Sequence, residues 1–196
     1  PSRLNNPGQI AVPVTLSDGK EALIGYDRST LFRVVEAGDP APGGGVFTQI
    51  FTGSLRTDVR LPPALDDGGR LVFGALTGGL DAALYAARLA PGGGGVPERV
   101  LGAGDTVEGA PLSPFEIQAL DQDADGRLAF EAVYNEDFDF GTFLKEGSSL
   151  LAVAREFDRV PALDSFVRSV TPRLALLGGG RLAYGVTILD GSEAIL

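Results

Sequence analysis

The chain has 196 residues, 28 of them glycine and 13 proline, a formal net charge of −10, and no cysteine, histidine, methionine or tryptophan. Without cysteine or histidine it cannot hold disulfides, thiolate or imidazole metal sites, or a Ser-His-Asp triad. The acidic balance disfavours phosphate backbones and anionic lipid, and no apolar run approaches the roughly 20 residues that span a bilayer, so neither nucleic-acid binding nor membrane insertion is expected.

Glycine and proline together make up about one residue in five, which suits many short strands joined by tight turns. The first turn is Asn5-Asn6-Pro7-Gly8, and the alternation from Ile10 to Val14 after it predicts a strand. A second turn, Ser17-Asp18-Gly19, leads to Ala22-Leu23-Ile24, so the two apolar runs read as a hairpin. A third strand runs through Val34 to a turn at Asp39, and a fourth contains Phe47.

The series then recurs. Asp66-Asp67-Gly68-Gly69 opens a second copy, with a strand through Leu71 and Phe73, a turn at Thr77-Gly78-Gly79, a strand at Ala83-Leu84-Tyr85, and then Val100, Asp105 and Phe115. Asp123-Ala124-Asp125-Gly126 opens a third, followed by Leu128, Phe130, a turn at Asn135-Glu136-Asp137, the strand Thr142-Phe143-Leu144, then Val153, Asp158 and Phe166. Gly180 opens a fourth that lacks the Asx residue, with Leu182, Tyr184, Asp190-Gly191 and Ala194-Ile195-Leu196. In the first three, an Asx side chain three positions ahead of the glycine is placed to accept a backbone hydrogen bond across the turn.

The units span 5–64, 65–120, 121–175 and, in part, 176–196. Each complete unit offers about four short strands in meander order, so the predicted fold is all-β, with β-propeller-like repeats of about 55–60 residues. Within the strand after each glycine, bulky residues at even offsets share one face. The odd offsets carry mostly small side chains, with Pro13, Gly74, Glu131 and Gly185 at the fifth position after each glycine. Ser148 to Val160 has the propensity of an amphipathic helix, but its slot in the repeat predicts a strand. Because the chain ends inside the fourth unit, an open strand edge is expected, completed from outside the chain or by self-assembly.

The segments Asn5–Val12, Asp66–Phe73, Asp123–Phe130 and, more loosely, Leu177–Tyr184 resemble the bacterial surface repeats named for an N-x-x-G-x-V-A-F motif, the choice-of-anchor tandem-repeat proteins. Asp66 and Asp123 depart from that motif by replacing its asparagine. The resemblance implies an exported or cell-surface protein with propeller-like repeats, and it brings no catalytic residue with it.

Three groups of residues invite a chemical reading. Asp121, Asp123 and Asp125 alternate before Gly126 and can supply oxygen ligands to Ca²⁺, although Ala129 and Ala132 stand where such loops carry further acids. The competing reading is an Asx turn with extra surface acids. Asp39, Asp105 and Asp158 recur at equivalent places and either line an axial ring or tie down the turns they sit in. Asn135 to Phe140 mixes acids and aromatics in a hairpin loop that can meet a sugar. Gly43-Gly44-Gly45 and Gly92-Gly93-Gly94-Gly95 lack the Lys-Ser/Thr of a phosphate loop and read as loop tips.

The expected function is a non-catalytic extracellular structural or interaction module with a protein or glycan partner and no obligatory cofactor. The alternatives are a Ca²⁺-dependent, glycan-binding module and a carboxylate hydrolase.

Overall fold

The computed structural model describes residues 3–50, 52–54, 57–78, 81–90, 95–102, 104–112, 117–133, 139–177 and 181–196. Most of them form short antiparallel strands, and no α-helix occurs among them. The first sheet is a meander of β1 (Arg3–Leu4), β2 (Ile10–Thr15), β3 (Glu21–Tyr26) and β4 (Leu31–Glu36). Next come β5 (Phe47–Ile50), the separate hairpin of β6 (Thr52–Ser54) and β7 (Thr57–Arg60), and β8 (Ala64–Leu65). Strands β5 and β8 pair with different stretches of one side of β9 (Arg70–Thr77), and β10 (Asp81–Arg88) and β11 (Glu98–Gly102) complete the second sheet.

A small hairpin of β12 (Thr106–Val107) and β13 (Ala110–Pro111) leads to the third meander: β14 (Ala119–Gln122), β15 (Leu128–Val133), β16 (Phe140–Glu146) and β17 (Ser149–Arg155). The fourth sheet comprises β18 (Arg159–Val160), β19 (Ser165–Leu177), β20 (Arg181–Ile188) and β21 (Glu193–Ile195), with a 3-10 turn at Pro161–Leu163 between its first two strands. Ser149–Arg155 and Arg159–Val160 are strand, joined by a turn at 156–158, as the repeat position of this segment predicts despite its helical propensity. Burial on a sheet overrides a weak local preference.

The sheets are offset from the sequence units by one strand. Each unit contributes the strand after its glycine and the next two to one sheet, then gives its last strand to the following sheet. Phe47–Ile50 pairs with Ala75–Thr77, Ala119–Gln122 with Leu128–Glu131, and Leu174–Leu177 with Arg181–Tyr184. The strands that lead into successive glycine turns are spatial neighbours, β1 beside β8, β8 beside β14 and β14 beside β19.

The bulky and small faces explain how the sheets pack. Leu71 and Phe73, at even offsets, join Ala11 and Leu23 of the first sheet in one apolar cluster. Val72, on the opposite face of β9, joins Leu84 and meets Leu128, Phe130 and Phe143 of the third sheet in a second cluster. A bulky face thus meets the small face of the preceding sheet. Phe47 and Tyr85 stand edge to face at 4.9 Å between ring centroids, and Phe130 and Phe143 stack at 5.4 Å. Fully burying each such side chain contributes about 1.5–3 kcal/mol.

Candidate functional site

The recurring polar residues are the first place to look for chemistry, and they are occupied in holding turns. Asn5, Asp66 and Asp123 each accept, through Oδ1, the backbone N–H four residues on: Gln9 at 2.8 Å, Arg70 at 2.8 Å and Arg127 at 3.0 Å. Asp123 Oδ1 also accepts the N–H two residues on, from Asp125 at 3.0 Å. The glycines at the end of these turns have φ of +81°, +76° and +80°, a left-handed conformation that strongly favours glycine.

Asp39, Asp105 and Asp158 form a second equivalent set. Each Oδ2 accepts the backbone N–H three residues earlier, from Glu36 at 2.9 Å, Gly102 at 2.6 Å and Arg155 at 2.8 Å. Each backbone N–H bonds back to the carbonyl of that same residue. An arginine stands beside every one: Arg33 at 3.8 Å, Arg99 at 3.4 Å and Arg155 at 3.6 Å. These carboxylates close their own turns. Replacing Asp158 by alanine is expected to lower stability by about 1–2 kcal/mol in urea melts, because a charge-assisted bond to the backbone disappears.

The residue before each of these aspartates is Gly38 (φ +107°), Gly104 (φ +94°) and, in the third copy, Phe157 at φ +69°. Phe157 is mostly exposed and carries a conformation that glycine adopts without strain. Phe157→Gly should therefore raise the urea midpoint, by about 0.5–1 kcal/mol of stability.

Asp121, Asp123 and Asp125 do not converge. Asp121 Oδ2 accepts Leu176 N of the fourth sheet at 2.9 Å. Arg127 lies against the other two, 2.6 Å from Asp123 Oδ2 and 3.0 Å from Asp125 Oδ2. Its guanidinium sits where a bound cation would need those oxygens. Among the described residues no group of three acids is arranged to hold a metal ion. The acidic-aromatic loop at Asn135–Phe138, the turn glycine Gly180, Phe115 and most of the Gly92–Gly95 run lie outside the described residues.

Polar bonds also link neighbouring sheets at their glycine turns. Asn5 Nδ2 donates to Asp66 O at 2.8 Å, and Asn6 bonds both carboxylate oxygens of Asp67. Gln122 Nε2 donates to Ala64 O at 2.9 Å and to Arg70 O at 2.5 Å, while its Oε1 accepts from Arg70 Nη1 at 3.2 Å. These contacts fix one sheet against the next.

Glu131 is the exception to this satisfaction. It is 1% exposed, and its Oε1 has no hydrogen-bond partner; neither does Oγ1 of the fully buried Thr142, its register partner on β16. Its side chain leaves β15 on the face turned to the fourth sheet, where β19 lies against β15. In the fourth copy the equivalent slot is so tight that a Cβ on Gly185 would collide with Thr171 Oγ1. Burial alone pushes the Glu131 carboxyl up to about 8, so the acid is neutral at pH 7.

Two open clefts flank Val96, an apolar side chain 75% exposed. One, of about 360 Å³, runs between Val34, Val35, Asp39 and Pro40 of the first unit and Gly95 to Pro97 of the second. The other, of about 280 Å³, is lined by Arg70, Ala86, Ala87, Arg88, Val96 and Glu98. Sequence reasoning singled out neither arginine. The signal lay in the residue facing each copy's first strand position, which pattern-matching along one strand does not reach.

The model of a family of unknown function, DUF7453, matches residues 4–193. No curated protein matches the chain.

Proposed function

The chain belongs to that family of unknown function, DUF7453, and from its geometry we propose that it is a non-catalytic interaction module of the cell surface. Its meander sheets stack in a propeller-like manner on that reading, and the open clefts between and beside them meet the partner.

The observation that carries the reading is the use made of the repeat-equivalent Asn and Asp residues. Asn5, Asp66, Asp123, Asp39, Asp105 and Asp158 all spend side-chain oxygens on the backbone of their own turns. A residue set that recurs for structural reasons builds a rigid frame, and function then rests on positions that break the repeat. The likeness of the glycine turns to N-x-x-G-x-V-A-F surface repeats supports an exported setting. Partnering of Asp123 and Asp125 by Arg127 favours binding that does not depend on Ca²⁺.

Purified chain offered chromogenic glycosides and phosphate esters is expected to leave them unchanged, with or without EDTA. Protease added to intact cells that make the native protein is expected to digest it. Turnover that a single carboxylate substitution abolishes, or digestion only after the cells are broken, overturns the reading.

A further inference from the structure

The second sheet ends in a pairing that the other sheets avoid. Arg70, directly after the turn glycine, stands opposite Arg88 in the β9–β10 register. Like charges placed directly opposite on neighbouring strands repel. In the third sheet the equivalent Arg127 is one step from the Leu128–Lys145 pair, which brings it to Glu146, and it also holds Asp123 and Asp125. In the first sheet Gln9 is one step beyond the Ile10–Tyr26 pair and so comes opposite Asp27. Where those sheets answer the position with an acid, the second answers it with another cation, and Gly68 replaces the equivalent of Asp125.

The two arginines line the cleft of about 280 Å³ together with Ala86, Ala87, Val96 and Glu98. Arg70 is held in place by Gln122 Oε1 at 3.2 Å and Glu98 Oε1 at 3.5 Å. Arg88 is exposed and has no carboxylate partner among the described residues. Among the described residues Glu98 is the only acid of the lining, and its side chain is 70% exposed at the rim. The chain as a whole carries −10, so this is a local reversal of sign.

We propose that the Arg70–Arg88 cleft binds a small oxyanion, a carboxylate or phosphate group on a compact ligand whose apolar body lies against the exposed Val96 side chain. The proposal names the ligand class of one cleft invoked above, and it rests on that reading only for the claim that the clefts face outward to a partner. Arginine forks match planar carboxylates and phosphates with paired N–H donors. At roughly 30 Å³ per water-sized volume the cleft holds a ligand of about ten non-hydrogen atoms.

The test uses inorganic phosphate and butyrate as probes, titrated into the whole chain at constant ionic strength set with chloride, because screening alone perturbs exposed charges. Side-chain Nε–Hε signals of arginine report binding. Saturable shifts of Arg70 and Arg88 are expected with a dissociation constant of about 1–10 mM. Arg88→Gln, at an exposed position, is expected to weaken binding about tenfold, and Glu98→Gln, which removes the competing carboxylate, to strengthen it about threefold. Tighter butyrate assigns the site to organic acids; tighter phosphate assigns it to phosphate-bearing ligands. Absence of saturation with both probes, or equal binding by wild type and Arg88→Gln, overturns the proposal. Neither result touches the assignment of the chain as non-catalytic, which the turnover and protease experiments address.

Discussion

Replacing Glu131 by glutamine is expected to stabilise the protein at pH 8.5 by roughly 3–5 kcal/mol and to leave stability at pH 4.5 nearly unchanged. The folded chain holds the Glu131 proton to a pH of about 8, whereas an exposed glutamate releases it near 4.5. Between those values the unfolded chain loses a proton that the folded chain keeps. Stability therefore falls as pH rises, by up to about 1.4 kcal/mol per unit, and the fall stops once both states are ionised above 8. Glutamine keeps the shape of the side chain and removes the titration. Urea melts of both proteins from pH 4 to 9.5 isolate this residue, since every other acid is common to the pair. Parallel stability curves would show that Glu131 is already ionised or already solvated in the folded chain.

Phe73→Ala is expected to cost about 3–5 kcal/mol. Phe73 is fully buried between the first two sheets, its ring centroid 6.2 Å from that of Phe47 and 6.1 Å from that of Tyr85. Truncation removes one corner of a three-ring group and leaves a void bounded by two rigid sheets that cannot close in on it. Hydrogen exchange should locate the damage in β2, β3 and β9, the strands on either side of that cavity. Loss confined to the third and fourth sheets would contradict the packing assigned to this face.

Much of this architecture is legible in the residues themselves. Gly8, Gly69 and Gly126 mark the turns because the chain must take a positive φ there, and few residues do so without strain. The alternation of Leu71, Val72 and Phe73 discloses a strand buried on both sides. What stayed hidden is the strand offset, since a period of about 55–60 residues is the same wherever its boundary is drawn. Partner choice was hidden too. Nothing local in Asp121-Gln122-Asp123 says that the first acid reaches a backbone N–H in the next sheet, or that Arg127 covers the third. Phe157 conceals a turn that Gly38 and Gly104 announce. Glu131 shares its repeat slot with Pro13, Gly74 and Gly185, and its burial and orphaned oxygen come only from the approach of β19. Arg88 gains meaning solely from the residue across the ladder.

The one-strand offset bears on how such an array can change length. A duplicated unit would accept the strand left by its predecessor and hand its own last strand forward, so copying or deleting a whole unit would leave no ladder within the array short of a partner. Joints made this way share hydrogen bonds as well as apolar contact. Neighbouring units would then come apart only by breaking a sheet, which ties the melting of each copy to the copy ahead of it.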